Sequence, residues 1–355
     1  MNGARPPVRF AAVGLDHRHI YDQVRSLTDA GATCVGYWTG GDPAPLAGFV
    51  KRFPSIPRVD DRRRFYDDPS IALITSAAIP SERAAFAIEA MRAGKDFMAD
   101  KPGVTTHEQL DEIRRVRGET GRLWTVNFTE RFEVRAVTRA LELVREGAIG
   151  EVVQTVGLGP HRENRALRDP WFYDRAKTGG ILVDIASHQI DQFLVFTGAT
   201  DATITLARAE NVAHPGDPAF EDFGEVALTA RGAPGRAVAR PSGYIRVDWF
   251  TADGLPTWGD GRLFVVGTKG TIELRKYVDI AGRPGKDHLF LVDGGGARHV
   301  DCSDADLPYY ADFLRDVVER TDRAMPRAHV EKVCELALEA QAMAEGPGGE
   351  GHTAR

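Results

Sequence analysis

The chain has 355 residues, a formal net charge of −6, 43% hydrophobic and 27% charged residues, and three cysteines. That length suits two domains with a sizeable core, and the acidic balance, with no block of basic residues, excludes nucleic acid as an expected partner. Cys34, Cys302 and Cys334 are too scattered for a disulfide framework or a zinc cluster, no apolar run reaches the ~18 residues of a membrane span, and no signal segment is visible at the N-terminus, so the expectation is a cytoplasmic protein without a membrane partner.

Over residues 1–127 strand and helix patterns alternate. Val8–Gly14, Thr33–Trp38, Ile71–Ala77, Asp96–Ala99 and Leu123–Asn127 are short apolar runs. Continuous rather than alternating apolarity suits strands covered on both faces. Between them, Ser81 reads as an N-cap and Gly94 as the closing residue of one helix. Thr105 with Glu108 reads as a capping box for another, closed by Gly121. Repeated βα units predict an N-terminal Rossmann-like, doubly wound parallel sheet over 1–127.

Residues 128–345 read differently. Glu151–Gly157, Ala202–Ala207, Phe223–Ala230, Tyr244–Phe250, Arg262–Val266 and Thr271–Arg275 form strand patterns separated by Gly-, Pro- and Asp-rich loops. A helix is expected from Gly180 to Gly198, and two more over Pro308–Arg320 and His329–Ala344. This predicts a C-terminal α+β domain on a large, open, mainly antiparallel sheet for substrate binding and oligomerisation. An uncovered sheet face makes a homo-oligomer plausible. A disordered tail is expected over 346–355.

Four constellations carry chemistry. The first strand leads into Gly14-Leu15-Asp16-His17-Arg18-His19, which keeps the first glycine of the GxGxxG fingerprint and replaces the others by Asp16 and His19. A helix N-terminus there would still attract a phosphate, with His17, Arg18 or His19 as added donors; a plain strand–helix turn fits equally well. The second strand ends Trp38-Thr39-Gly40-Gly41, without the acid that would grip a ribose hydroxyl, so NAD and NADP stay open. Asp100-Lys101-Pro102 follows Asp96–Ala99 and sits where parallel sheets bind ligands. In the stretch from Gly179-Gly180 to Asp191, Asp184 and His188 stand at i, i+4 on one helical face and can touch, with Asp191 near the same stripe. A carboxylate and an imidazole in such an apolar helix are costly unless paired or used, and histidine suits general base chemistry. His161, Arg162 and Trp171 are candidate substrate contacts. No metal is expected, although His161, Asp184 and His188 are possible ligand types. Read singly, each feature also has an ordinary explanation: a surface lysine, a satisfied core histidine, packed aromatics.

Taken in order, these motifs resemble the glucose–fructose oxidoreductase / inositol dehydrogenase / MocA (Gfo/Idh/MocA) family, over roughly residues 8–345. The family's E-K-P looks like Asp100-Lys101-Pro102. Its glycine-opened D-x-G-x-H-x-x-D helix looks like Gly179-Gly180 through Asp184, His188 and Asp191. Ala93–Ala99 is similar to its A-G-K-x-V strand, Ile79-Pro80 to its T-P turn, Asn127 with Arg131 to its N-x-x-R linker, and Gly267–Gly270 to its G-T-x-G turn. The departures are the degraded glycine loop, Asp100 for Glu, Arg83 for a histidine and one missing glycine before Ile181. The resemblance implies an NAD- or NADP-dependent enzyme acting on a sugar or polyol, a homodimer or homotetramer. Catalytic residues would be Lys101, Asp184 and His188. Gly14, Asp16, His17, Arg18, His19, Trp38, Thr39, Ile79, Pro80, Asp100, Lys101 and Asn127 would bind the nucleotide. Substrate would meet Lys101, His161, Arg162, Trp171, Asp184 and His188. Two alternatives follow from the same family: glycoside cleavage through transient oxidation, or a ligand-binding relative that has lost its nucleotide.

Overall fold

The computed structural model describes residues 7–231 and 238–346. The tail expected from residue 346 falls outside the described residues beyond Gly346.

Along the first part run β1 (Arg9–Val13), α1 (Ile20–Asp29), β2 (Thr33–Trp38), α2 (Leu46–Arg52), α3 (Arg63–Asp67), β3 (Leu73–Ser76), α4 (Pro80–Arg92), β4 (Asp96–Asp100), α5 (His107–Thr120) and β5 (Trp124–Asn127). The five strands make one parallel sheet in the order β2-β1-β3-β4-β5. Every residue of β3, β4 and β5 is buried, which is why these strands read as unbroken apolar runs. The winding reverses between β1 and β3, and ligands of such sheets bind outside the carboxyl ends of the strands at that point.

Next come α6 (Thr129–Phe132), α7 (Arg135–Arg145), β6 (Val152–Pro160), α8 (Arg175–Thr178), a π-helical turn over Leu182–Ala186 and α9 (Ser187–Thr197). They are followed by β7 (Asp201–Glu210), β8 (Phe223–Arg231), β9 (Ser242–Asp248), β10 (Arg262–Gly267), β11 (Thr271–Arg275), β12 (His288–Asp293), β13 (Gly296–Val300), α10 (Tyr309–Glu319) and α11 (Arg327–Glu345). The second sheet has eight strands in the order β13-β12-β11-β10-β6-β9-β8-β7. It is antiparallel except where β6 runs parallel to β9. Helix α9 lies close on β6 because β6 offers glycine there. A Cβ on Gly157 or Gly159 would come within 2.8 or 2.9 Å of the Gln189 side chain.

Local chemistry corrects several expectations. Ile79, not Ser81, caps α4, because Pro80 takes the first helical position, where its missing N–H costs nothing. The cap of α5 is Thr106, whose hydroxyl accepts from the Gln109 amide at 3.2 Å; the expected Thr105 instead donates its amide to Gln109 Oε1 at 2.8 Å. The helix expected from Gly180 opens as a π turn before becoming α-helical. Strands β12 and β13 escaped the sequence reading. All of β13 but its last residue is exposed, so it carries no apolar face to detect.

Candidate active site

The carboxyl end of β4 delivers Asp100 and Lys101, and both are buried. Asp100 is the hub of the first βα turn. His19 Nδ1 lies 2.8 Å from its Oδ1 and His17 Nδ1 3.1 Å from its Oδ2. The Lys101 amide donates to Oδ1 at 2.8 Å and Arg83 Nη2 to Oδ2 at 3.1 Å. Burial opposes its charge, but His19, Arg83 and these hydrogen bonds outweigh that and hold the carboxyl well below the usual range. Arg83, which reads from sequence only as a departure, is buried and also donates to the Ala78, Lys101 and Pro102 carbonyls. It fixes the turn that presents Lys101.

Lys101 Nζ donates to Asp184 Oδ1 at 2.9 Å. The sequence pairs Asp184 with His188; the structure gives its carboxylate to the Lys101 ammonium, a stronger partner than a neutral imidazole. Burial again favours the neutral acid, yet the charge and hydrogen bond of Lys101 keep Asp184 below the usual range. His188 is buried, its ring edge-on to Phe128 with centroids 5.9 Å apart. Burial above all pulls its pKa down to about 4; Glu130 pulls upward and Lys101 downward. At neutral pH it is therefore an uncharged imidazole with a lone pair to offer.

His161 joins this group. Its pKa falls to about 3, by burial first and then Lys101, against Glu130. Its Nδ1 lies 3.0 Å from the Gly159 carbonyl, and its ring packs against Trp249 and Trp258 at 5.3 and 4.5 Å. Arg162 does not join it. Its guanidinium donates to the Ala252, Asp253 and Leu255 carbonyls, so it organises that loop. Trp171 lies toward the first turn, 6.5 Å from the His17 ring. Asp191 leaves the stripe altogether: Arg131 grips it at 2.6 and 2.8 Å and His329 at 2.7 Å. Arg168, which the sequence does not single out, stacks over Phe172 and Trp249 at 4.2 and 5.2 Å, and Asp184 acts on its charge. Asp184, Phe172, Phe220 and Trp249 line a small crevice.

The fit of a nicotinamide dinucleotide rests on the first turn. Gly14 has φ +78°, and a Cβ there would lie 2.5 Å from the Ala78 Cβ, so this turn requires glycine and lies flush on the switch point. Asn127, at the end of β5 beside Asp100, has a buried Nδ2 with no acceptor among the described residues. Lys101 and Asn127, at the ends of the adjacent strands β4 and β5, would be the groups to meet the nicotinamide end of such a cofactor. The pyrophosphate end is less welcoming. The Leu15 amide is given to Thr39 Oγ1 at 3.3 Å and the His17 amide to the Ala77 carbonyl at 2.8 Å. His17 is no cation, its pKa drawn to about 3 by burial and by His19. Arg18 is exposed and Asp16 partly buried. Trp38 packs on Phe86 at 6.0 Å with Arg62 over its ring at 4.9 Å. Ile79 and Pro80 open α4 at the switch point. His17, His19 and Asp100, with donor atoms within 4.8 Å of one another, are ligand types for a metal, where the sequence suggests none. Beyond the two histidines, however, Asp100 Oδ1 already accepts from the Lys101 amide and Oδ2 from the Arg83 guanidinium.

A profile of the GFO/IDH/MocA C-terminal domain matches residues 137–273. A crystal structure of a protein classed as an oxidoreductase from Erwinia carotovora atroseptica is 45% identical, covers 94% of this chain and 98% of that one, and superposes with a TM-score of 0.89. The scyllo-inositol 2-dehydrogenase (NADP(+)) of Bacillus subtilis is 27% identical over 46% of this chain and 46% of its own. The levoglucosan dehydrogenase of Pseudarthrobacter phenanthrenivorans is 28% identical over 58% of this chain and 52% of its own. The chain thus spans about half the length of the curated relatives it matches. A levoglucosan dehydrogenase solved with NADH and levoglucosan shares the fold at 20% identity, TM-score 0.74. With its profile match, its full-length likeness to the Erwinia protein and the two sheets in this order, the chain belongs to the Gfo/Idh/MocA family.

Proposed function

We propose that the protein is an NAD- or NADP-dependent oxidoreductase acting on a hydroxyl or keto carbon of a sugar or polyol. The observation that carries this is the partly buried Lys101–Asp184 pair, 2.9 Å long, with an uncharged His188 beside it. When bound, the nicotinamide supplies or accepts the hydride. Everything else falls to the chain's own residues. Lys101 Nζ hydrogen-bonds the reacting oxygen and steadies negative charge on it. Asp184 holds that ammonium in place and accepts from a neighbouring hydroxyl. His188 takes the proton from the reacting hydroxyl in oxidation and returns it in reduction. His161, Arg168 and the aromatic wall bear on substrate rather than on the proton. The named activities of the levoglucosan and scyllo-inositol dehydrogenases support a carbohydrate substrate.

The test is a screen of sugars and polyols with NAD and NADP, read at the reduced-nicotinamide absorbance band. Lys101→Ala and His188→Ala should each lower turnover by at least about tenfold. Wild-type rates in both variants, or no nucleotide bound in calorimetry, would remove the proposal.

A homodimer or homotetramer fits the second sheet. Val156, Phe264, Glu273 and Phe290 form a half-exposed cross-strand row on one face; sedimentation of a monomer at micromolar concentration would exclude it. Among the described residues no helix is long and apolar enough to cross a membrane. Three free thiols suit a reducing compartment such as the cytoplasm.

A further inference from the structure

Behind His188 lies a second buried charge pair that the proposed reaction does not use. Glu130, on the short helix α6, receives Lys276 Nζ on Oε2 at 2.6 Å, with 2% and 0% of their side chains exposed. The same Oε2 accepts from Gln189 Nε2 at 2.9 Å. A buried ion pair with no role in binding is expensive to keep, since desolvation offsets most of its attraction.

Three polar atoms around this pair have no partner among the described residues, and all three are buried: Glu130 Oε1, Gln189 Oε1 and His188 Nδ1. Two are acceptors, and the third is a ring nitrogen able to donate. A single water suits this set, because it accepts one hydrogen bond and donates two, and buried waters hold about three such bonds. The Gln189 and His188 side chains both meet Glu130: the Gln189 amide is bonded to it, and it is the charge that acts most strongly on His188.

We infer that an ordered water joins His188 Nδ1 to Glu130 Oε1 and Gln189 Oε1, and that Glu130 is thereby the positioning residue that fixes the tautomer of His188. The ring proton is then held on Nδ1, and Nε2 keeps the lone pair that meets the substrate hydroxyl. When His188 takes the substrate proton on Nε2, the imidazolium is stabilised by the ionised Glu130 through the same water; Glu130 itself stays unprotonated, neutralised by Lys276. This rests on the proposed role of His188 as base, but its geometry does not depend on any substrate. The charged or titratable groups that bear on His188 are Glu130 from α6, Lys101 from the end of β4, His19 from the first turn, Lys276 after β11 and His161 after β6. Glu130 is the largest of the charges that favour the imidazolium.

The experiment is nitrogen-15 NMR of the full chain with labelled histidine, the His188 signal assigned by its loss in His188→Gln. In the wild type, without nucleotide or substrate, His188 should carry its proton on Nδ1. In Glu130→Gln, whose fold is checked by circular dichroism, that tautomer should lose population at neutral pH. The kcat/KM of the variant should fall about tenfold, as for other groups that orient a catalytic ligand, with KM little changed. A wild-type proton on Nε2 overturns the inference even if the variant does not fold. So does an unchanged His188 signal in a folded Glu130→Gln. Because the NMR readout needs no turnover, its failure leaves the oxidoreductase proposal standing, and a failed substrate screen leaves the tautomer result standing.

Discussion

Asp16 stands where a dinucleotide loop would have its second glycine, and it gives the seat a pH-dependent gate. Burial raises its pKa to about 6, with Glu82 and Asp169 adding to the rise and Arg83 and its own backbone opposing it. A phosphate seated at this turn would share it with the Asp16 carboxylate. Below about pH 6 Asp16 is neutral and the repulsion is gone; above it, binding must include proton uptake or bear the repulsion. Affinity for NAD or NADP should therefore weaken by up to about tenfold per pH unit above 6. Asp16→Asn should bind more tightly at pH 7.5 and lose most of that slope, as isothermal calorimetry at pH 5.5 and 7.5 would show. A steep slope surviving in the variant would assign the effect to another group. At this scale the sequence exposes residue types but not partnerships. Lys101, Asp184 and His188 stand out as motif residues. The groups that tune them do not: Arg83 looks like an arbitrary substitution, and Lys276 meets Glu130 across 146 positions. No periodicity links such a pair, because the contact is made by packing a sheet strand's exit against a linker helix.

Elements were legible to the extent that burial is periodic. The strands of the first sheet are covered on both faces and stand out as apolar runs, whereas β13 presents exposed faces that local patterns do not reveal. The glycine pair before the π turn is a different kind of signal, a backbone requirement. Gly180 has φ +93°, and a Cβ there would lie 2.3 Å from Gln341 Cδ. Gln341 in turn accepts the Leu182 amide at 3.2 Å and donates to Glu221 at 2.8 Å. Gly180→Ala would thus strain the backbone and displace the side chain that anchors the start of the turn carrying Asp184. Gly94 is a natural control, with φ +79° and nothing within 4 Å of its absent Cβ. Gly94→Ala should cost about 1 kcal/mol for the conformation alone, at the low end of left-handed strain. Gly180→Ala should cost more in urea unfolding and also slow turnover. Equal losses in the two variants would mean that the close approach to Gln341 has no energetic weight.

On the scale of the molecule, the C-terminal helices make the two sheets one unit. Tyr309 of α10 meets Thr125 of β5 at 2.8 Å, and Tyr310 donates to Asn127 at 3.1 Å. From α11, Glu331 accepts from Arg117 of α5 at 2.7 Å, and His329 meets Asp191 of α9 at 2.7 Å. One hydrophobic cluster runs from β1 through α9 and β8 to α11. Through this shared core run carboxylates whose ionisation the fold depends on. Asp100 lies well below the usual range, while Glu130 and Asp191 sit at about 2, burial in each case being outweighed by cationic partners. For a group with a depressed folded pKa, the stabilisation is complete above the unfolded value, about 4, and is lost as pH falls toward the folded one. Acid should therefore unfold the protein between about pH 4 and pH 2. Because Asp100 ends β4 of the first sheet while Glu130 and Asp191 lie beyond it on α6 and α9, the loss should be a single transition. Four of the five tryptophans can test this, since Trp38 and Trp124 report on the first sheet and Trp249 and Trp258 on the second half, while Trp171 sits beside His17. Fluorescence of variants keeping one group or the other should give coincident acid midpoints that also match far-ultraviolet circular dichroism. Asp191→Asn, which removes one of the three depressed groups, should lower stability at neutral pH and flatten its fall between pH 4 and 2. Separate midpoints for the two tryptophan groups would show that α10 and α11 fasten the halves less tightly than their shared core requires.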